Sequence, residues 1–210
     1  MSEVEKQDRR TDSPRSLRHP AEIDARRALL SKSHMVPLRN FVAALRASNP
    51  DIEVPDFDPL DGGINAEILF LFEKPGPMTS KSGKGSGFIS RINDDPTAQA
   101  AFGFMIQAGL PRGKTVSWNA IPGWNGTRTV TQIELKDGIK ELNRLLLLLP
   151  RIKTIVLVGR KAQRALPLVQ SLGYKVITSA HPSPLVRARQ PKIWEQIPTE
   201  WAKAVEDAPI

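Results

Sequence analysis

The chain contains no cysteine. That rules out disulfides, a thiolate nucleophile, and cysteine-ligated zinc or iron–sulfur sites. Histidine is scarce: His19, His34 and His181 stand far apart, and there is no HExxH pair, so a histidine-rich metal site is not expected. Long apolar runs are missing too. The longest, "ILFLF" (68–72) and "LLLLL" (145–149), have the length of core segments rather than membrane spans. The opening "MSEVEKQDRR" has no apolar stretch of the kind a secretory signal needs. These features lead to the expectation of a cytoplasmic protein with no membrane association and no metal or nucleotide cofactor.

Acidic residues are also missing over one long window. Between Leu142 and Trp194 there is no Asp or Glu, while ten Lys and Arg residues fall there, against a net charge of +8 for the whole chain. Such a segment carries a positive field that suits a polyanion such as nucleic acid, although a basic run is equally compatible with a plain solvated surface.

The 210 residues suffice for one domain with a sizeable core plus flanking segments. Residues 1–20, polar and of mixed charge, read as a disordered tail. Residues 21–63 read as a helical N-terminal extension (21–32 and 37–49) followed by a linker rich in proline and aspartate (50–63). From 64 to 210 strands and helices alternate. Strands are expected at 66–72, 114–120, 153–159 and 174–180, and helices at 95–109, 131–149, 160–173 and 193–205. Four buried strands separated by helices imply an α/β fold, a three-layer αβα sandwich around a central four-stranded parallel sheet. In such folds ligands bind beyond the carboxyl ends of the strands. Glu73, Asn119 and His181 follow three of those ends and should converge.

Each of these residues has a structural as well as a chemical reading. Glu73 could be merely solvated, or could orient water or stabilise a cation in a cleft. Asn119 could cap a turn, or could read a donor–acceptor edge. Phe88, in the glycine-rich "GSGFIS", could anchor its loop or stack on a flat ring. His181, in "SAHPSP", could be chain routing, or an imidazole aimed by Pro182 and Pro184. The loop "GPMTSKSGKGS" is not a nucleotide phosphate loop. Six residues separate Gly76 from Gly83, and Gly85 stands where a magnesium-binding Ser or Thr belongs.

Taken in order, "FEKPGP", "GSGFIS", "SWNAIP", "VLVGRKAQRAL" and "HPSPL" resemble the motifs of the uracil-DNA glycosylase superfamily over roughly residues 64–190. The resemblance implies a monofunctional glycosylase that flips uracil out of DNA, hydrolyses its N-glycosidic bond and leaves an abasic site. Alternatives are a relative acting on hypoxanthine, xanthine or mismatched thymine, or a non-catalytic binder of damaged DNA. It implies catalytic roles for Glu73 and His181, and uracil binding by Phe88 and Asn119. Ser183, Leu185, Arg187 and Lys74 would contact DNA, Leu185 as the wedge that fills the space left by the base. Lys74 departs from the motif, as does Phe72, which stands where the family has Gly. A lysine nucleophile with lyase chemistry is a minor alternative. The implied partner is uracil-containing DNA, and the implied state is a monomer without cofactors.

Overall fold

The structure, a computed structural model, describes residues 12–205. Its centre is a four-stranded sheet built from β2 (Ile68–Phe72), β4 (Thr115–Asn119), β5 (Thr154–Val158) and β6 (Lys175–Ser179). The strands run parallel in the order β4-β2-β5-β6. Strand residues alternate between the two faces, so each apolar run feeds two cores. Leu69, Leu71, Val116, Trp118, Ile155 and Leu157 face one core. There they meet α2 (Val36–Ser48) through Leu38, Phe41, Val42 and Leu45, and α4 (Gln132–Leu147) through Leu135, Leu142, Leu145 and Leu146. Ile68, Phe70, Val156, Val158 and Ile177 face the other core. It is closed by Ala101, Phe104 and Met105 of α3 (Pro96–Gln107) and by Ile197 and Trp201 of α7 (Pro191–Ala202). Each fully buried side chain of this size contributes about 1.5–3 kcal/mol of transfer free energy. The expected αβα sandwich is thus the observed one.

Local signals explain the helix limits. Thr131 and Glu134 form a reciprocal capping box at the start of α4. Asp95 caps α3 by accepting the Ala98 N–H at 2.9 Å, and Pro96 occupies the first turn. The helix expected over 160–173 is shorter: a 3-10 turn, Ala162–Ala165, leads into α5 (Leu166–Ser171), with Pro167 in its first turn. The helix expected from 193 starts earlier and is preceded by another, α6 (Pro184–Arg189), in the stretch read as a loop.

The N-terminal third departs most from expectation. Residues 1–11 of the expected tail lie outside the described residues. Residues 12–20 do not form a free tail. Leu17 is 2% exposed and packs with Phe88 and Ile92, and its N–H bonds to the Ile92 carbonyl at 3.2 Å. Helix α1 (Pro20–Ala28) follows, and its Arg26 is buried near Asp58. The expected linker contains β1 (Asp56–Phe57), paired in parallel with β3 (Phe88–Ile89). Phe57 stacks on Trp118 at 4.1 Å between ring centres. No packing boundary separates the extension from the rest: α2 and Phe57 share the core of the central sheet. Apolar residues too widely spaced to form a periodic pattern are gathered by long-range pairing, which composition does not encode.

A buried ionic cluster ties this region down. Arg112 bridges Asp58 (2.6 Å) and Asp61 (3.0 Å) and also contacts Asp12, while Ser90 donates to Asp58.

Candidate active site

The carboxyl ends of β2, β4 and β6 open onto one cleft of about 310 Å³. Asn119 is the last residue of β4 and is 5% exposed. Its amide has no hydrogen-bond partner among the described residues, yet it lines the cleft. Its polar atoms open onto the cleft rather than being sealed in the core, so they are free for water or a ligand. His181 lies two residues beyond β6 and also lines the cleft, its ring edge-on to Phe72 at 6.1 Å. Burial pushes its pKa below the ordinary imidazole value, partly opposed by the negative charges of Glu73 and Asp95. At neutral pH His181 is therefore a neutral imidazole, able to donate one hydrogen bond.

Glu73 follows β2. The ladder between β2 and β4 continues past the strand ends through Ala120 N–H to Phe72 O (2.8 Å) and Ile121 N–H to Glu73 O (3.0 Å). The Glu73 carboxylate accepts the Lys161 N–H at 3.0 Å, just beyond β5. It thus sits behind the cleft wall, close enough to His181 to act on it electrostatically.

One expected binding residue, Phe88, is placed elsewhere, and another, Lys74, lines the cleft with its ammonium already paired. Phe88 does not face the cleft. Its ring is fully buried in the small core with Leu17 and Ile92, because β3 pairs with β1 and turns that side chain inward. The neighbouring Ile89 lines the cleft instead. The aromatic residue of the β2 end that reaches it is Phe72. Lys74 is not available to phosphate either. Its side chain is 4% exposed, and its ammonium donates to Asn125 Oδ1 (2.8 Å), Thr129 O (2.8 Å) and Glu134 Oε1 (2.7 Å). Lys74 therefore fastens the loop after β4 to the start of α4, with its charge neutralised by Glu134.

The remaining expected residues cluster after His181. Ser183 caps α6 by accepting the Val186 N–H at 3.3 Å. Leu185 is 58% exposed, and the Arg187 guanidinium lies 5.0 Å from the centre of the Trp194 ring. Arg160, Lys161, Arg187 and Arg189 are exposed at the same edge of the sheet, with no carboxylate partner among the described residues. Much of the acid-free segment therefore stands as uncompensated positive charge beside the cleft.

Several polar cleft residues were not singled out in the sequence, among them Asp95, Arg91, Arg128 and Ser117. Asp95 was legible only as a helix start, although burial also raises its pKa. Arg91, with an 8% exposed side chain, is held by Asp12 at 3.2 Å. Arg128 is exposed on the loop that Lys74 fastens. Ser117, two residues before Asn119, carried one signal, a polar residue inside a buried strand.

Fold and site together define a doubly wound parallel α/β protein with an amide, a neutral imidazole and a carboxylate gathered at the carboxyl edge of its sheet. A model of the uracil DNA glycosylase superfamily matches residues 59–207, and the chain belongs to that superfamily and, with it, to the DNA glycosylases. Among solved structures, a mimivirus UNG variant in complex with UGI is similar at 15% identity, covering 88% of this chain and 78% of that one, with a TM-score of 0.40. No curated protein matches the sequence.

Proposed function

We propose that this glycosylase excises uracil from DNA by hydrolysis of the N-glycosidic bond, leaving an abasic site. The observation that supports this most is the shared cleft of Asn119 and His181: an unpartnered amide and a neutral imidazole, both at strand ends. An amide can hydrogen-bond an N–H and a carbonyl on one base edge at once. A neutral imidazole can donate to a carbonyl oxygen that gains negative charge as the base departs.

Bond cleavage leaves an oxocarbenium-like sugar and an anionic base. Glu73, pinned by the Lys161 amide behind the cleft wall, supplies negative charge that favours the developing sugar cation. Phe72 offers the ring face or edge first assigned to Phe88. Leu185, exposed on α6, fills the stack when the base turns out, and Arg187 and Arg128 face the backbone phosphates. A lysine nucleophile finds no support, because Lys74 is consumed by three acceptors.

The test is excision from otherwise identical single- and double-stranded oligonucleotides carrying uracil, thymine, hypoxanthine or xanthine. Uracil should be released fastest. Asn119→Ala and His181→Ala should each slow release by about two orders of magnitude or more, as losing a preorganised donor does. A wild-type protein that releases none of these bases would refute the proposal.

A further inference from the structure

On the α3 side of the sheet, β2 and β5 present apolar side chains: Ile68, Phe70 and Phe72, then Val156 and Val158. The neighbouring β4 presents Thr115, Ser117 and Asn119 on that side, since residues two apart share a face. Thr115 is satisfied locally, its hydroxyl donating to the Arg112 carbonyl at 3.0 Å. Ser117 is not. It is 6% exposed, stands in register with the fully buried Phe70 and has no hydrogen-bond partner among the described residues. It also lines the cleft, with Ala101 and Met105 of α3. The hydroxyl is not sealed in the core but opens onto the cleft, so no protein group competes for it and a ligand in the cleft can take its proton.

We propose that Ser117 is a base-reading residue, one step beneath Asn119. This rests on the glycosylase reading of the cleft. Along a strand, residues two apart are roughly 6–7 Å apart, so the two side chains meet neighbouring parts of one flat ligand edge. Asn119 takes the ring N–H and its neighbouring carbonyl. Ser117, deeper in the cleft, donates its hydroxyl proton to the exocyclic oxygen on that edge. Deamination puts an oxygen there in place of an amino group, which makes this the atom most worth reading. The inference adds a specificity determinant to the amide.

A cycle over protein and base tests it. Wild type and Ser117→Ala are compared on oligonucleotides carrying uracil or 2-pyrimidinone, which lacks that oxygen and the adjacent ring N–H; the loss at Asn119 is then common to both proteins and cancels in the cycle. Ser117→Ala should lower kcat/KM on uracil by roughly three- to tenfold, the size expected for one buried neutral hydrogen bond. On 2-pyrimidinone it should change little. Its thermal midpoint should stay close to that of wild type, since the hydroxyl has no protein partner to lose. Equal losses on both bases, or none on uracil, overturn the inference. NMR titration with the free bases separates it from the parent reading. A protein that excises nothing, yet prefers free uracil to 2-pyrimidinone by a margin that shrinks in Ser117→Ala, keeps the base-reading role and loses the enzymatic one. Identical uracil binding by wild type and variant removes the role, as does a wild type that neither binds nor excises.

Discussion

Gly159 and the Glu73 carboxylate occupy the same corner of the molecule: a Cβ on Gly159 would lie 2.6 Å from Glu73 Oε1. Gly159 also has φ +88°, a region that L-residues rarely adopt. It therefore serves twice. It turns the chain out of β5, and it leaves room for the carboxylate to reach the Lys161 amide. Gly159→Ala should displace Glu73 and lower kcat/KM by up to about 10²-fold, in line with the cost of a misplaced catalytic group. The backbone strain should cost about 1–3 kcal/mol. Kinetics at a temperature where the variant is fully folded separate the two effects, and full activity there would remove the positioning role from the Glu73 carboxylate.

The pH dependence should follow His181. Burial holds its folded pKa below the ordinary 6.5, so the acid limb of kcat/KM should lie below that value. The sign for stability is the same. The unfolded state binds the proton more readily, so this contribution is complete above pH 6.5 and is lost as pH falls from there toward the folded pKa. Asp95 opposes the shift. Asp95→Asn, which preserves helix capping, should therefore move the acid limb to lower pH. A move to higher pH in a pH–rate series would contradict the arrangement.

Lys74 and Arg128 should separate cleanly in salt. Arg128 is an exposed cation at the cleft, whereas Lys74 is neutralised by Glu134. Arg128→Ala should reduce the slope of log K against log salt by about 1. Lys74→Met should leave that slope unchanged and cost about 1–3 kcal/mol of stability, because Glu134, Asn125 and Thr129 lose a charged donor. DNA-binding isotherms at several salt concentrations, with denaturant unfolding beside them, measure both.

The Arg112 cluster should behave as a unit. Arg112→Ala strands the buried Asp61 and leaves Asp58 with Arg26 alone, and should cost about 3–5 kcal/mol. Arg112→Met combined with Asp61→Asn should recover part of that loss in urea melts, since the second change removes the uncompensated charge.

The central sheet was legible because β2 and β5 are short, largely apolar runs buried on both faces, β4 has a strand-like alternation, and their order along the chain constrains the topology. Glu73, Asn119 and His181 were legible because strand ends are where such a fold places ligands. Phe88 was misplaced because an aromatic in a glycine-rich loop has no periodicity to show which way it points. Only the pairing of β3 with β1, some thirty residues away in sequence, turns it inward. The pairing of Lys74 was not legible because its acceptors lie at positions 125, 129 and 134, beyond any local reading.

The sequence by itself determined the αβα class, the absence of cysteine chemistry, the acid-free basic run, and the order of residues that mark the family. These depend on composition and short-range periodicity, which a chain carries before it folds. The tertiary structure decided which aromatic faces the cleft, which cations remain free, that the N-terminal segment belongs to the core, and that Ser117 lies unpartnered beneath Asn119. Each of those depends on contacts between residues far apart in the chain, where packing and charge neutralisation choose among side chains of the same type.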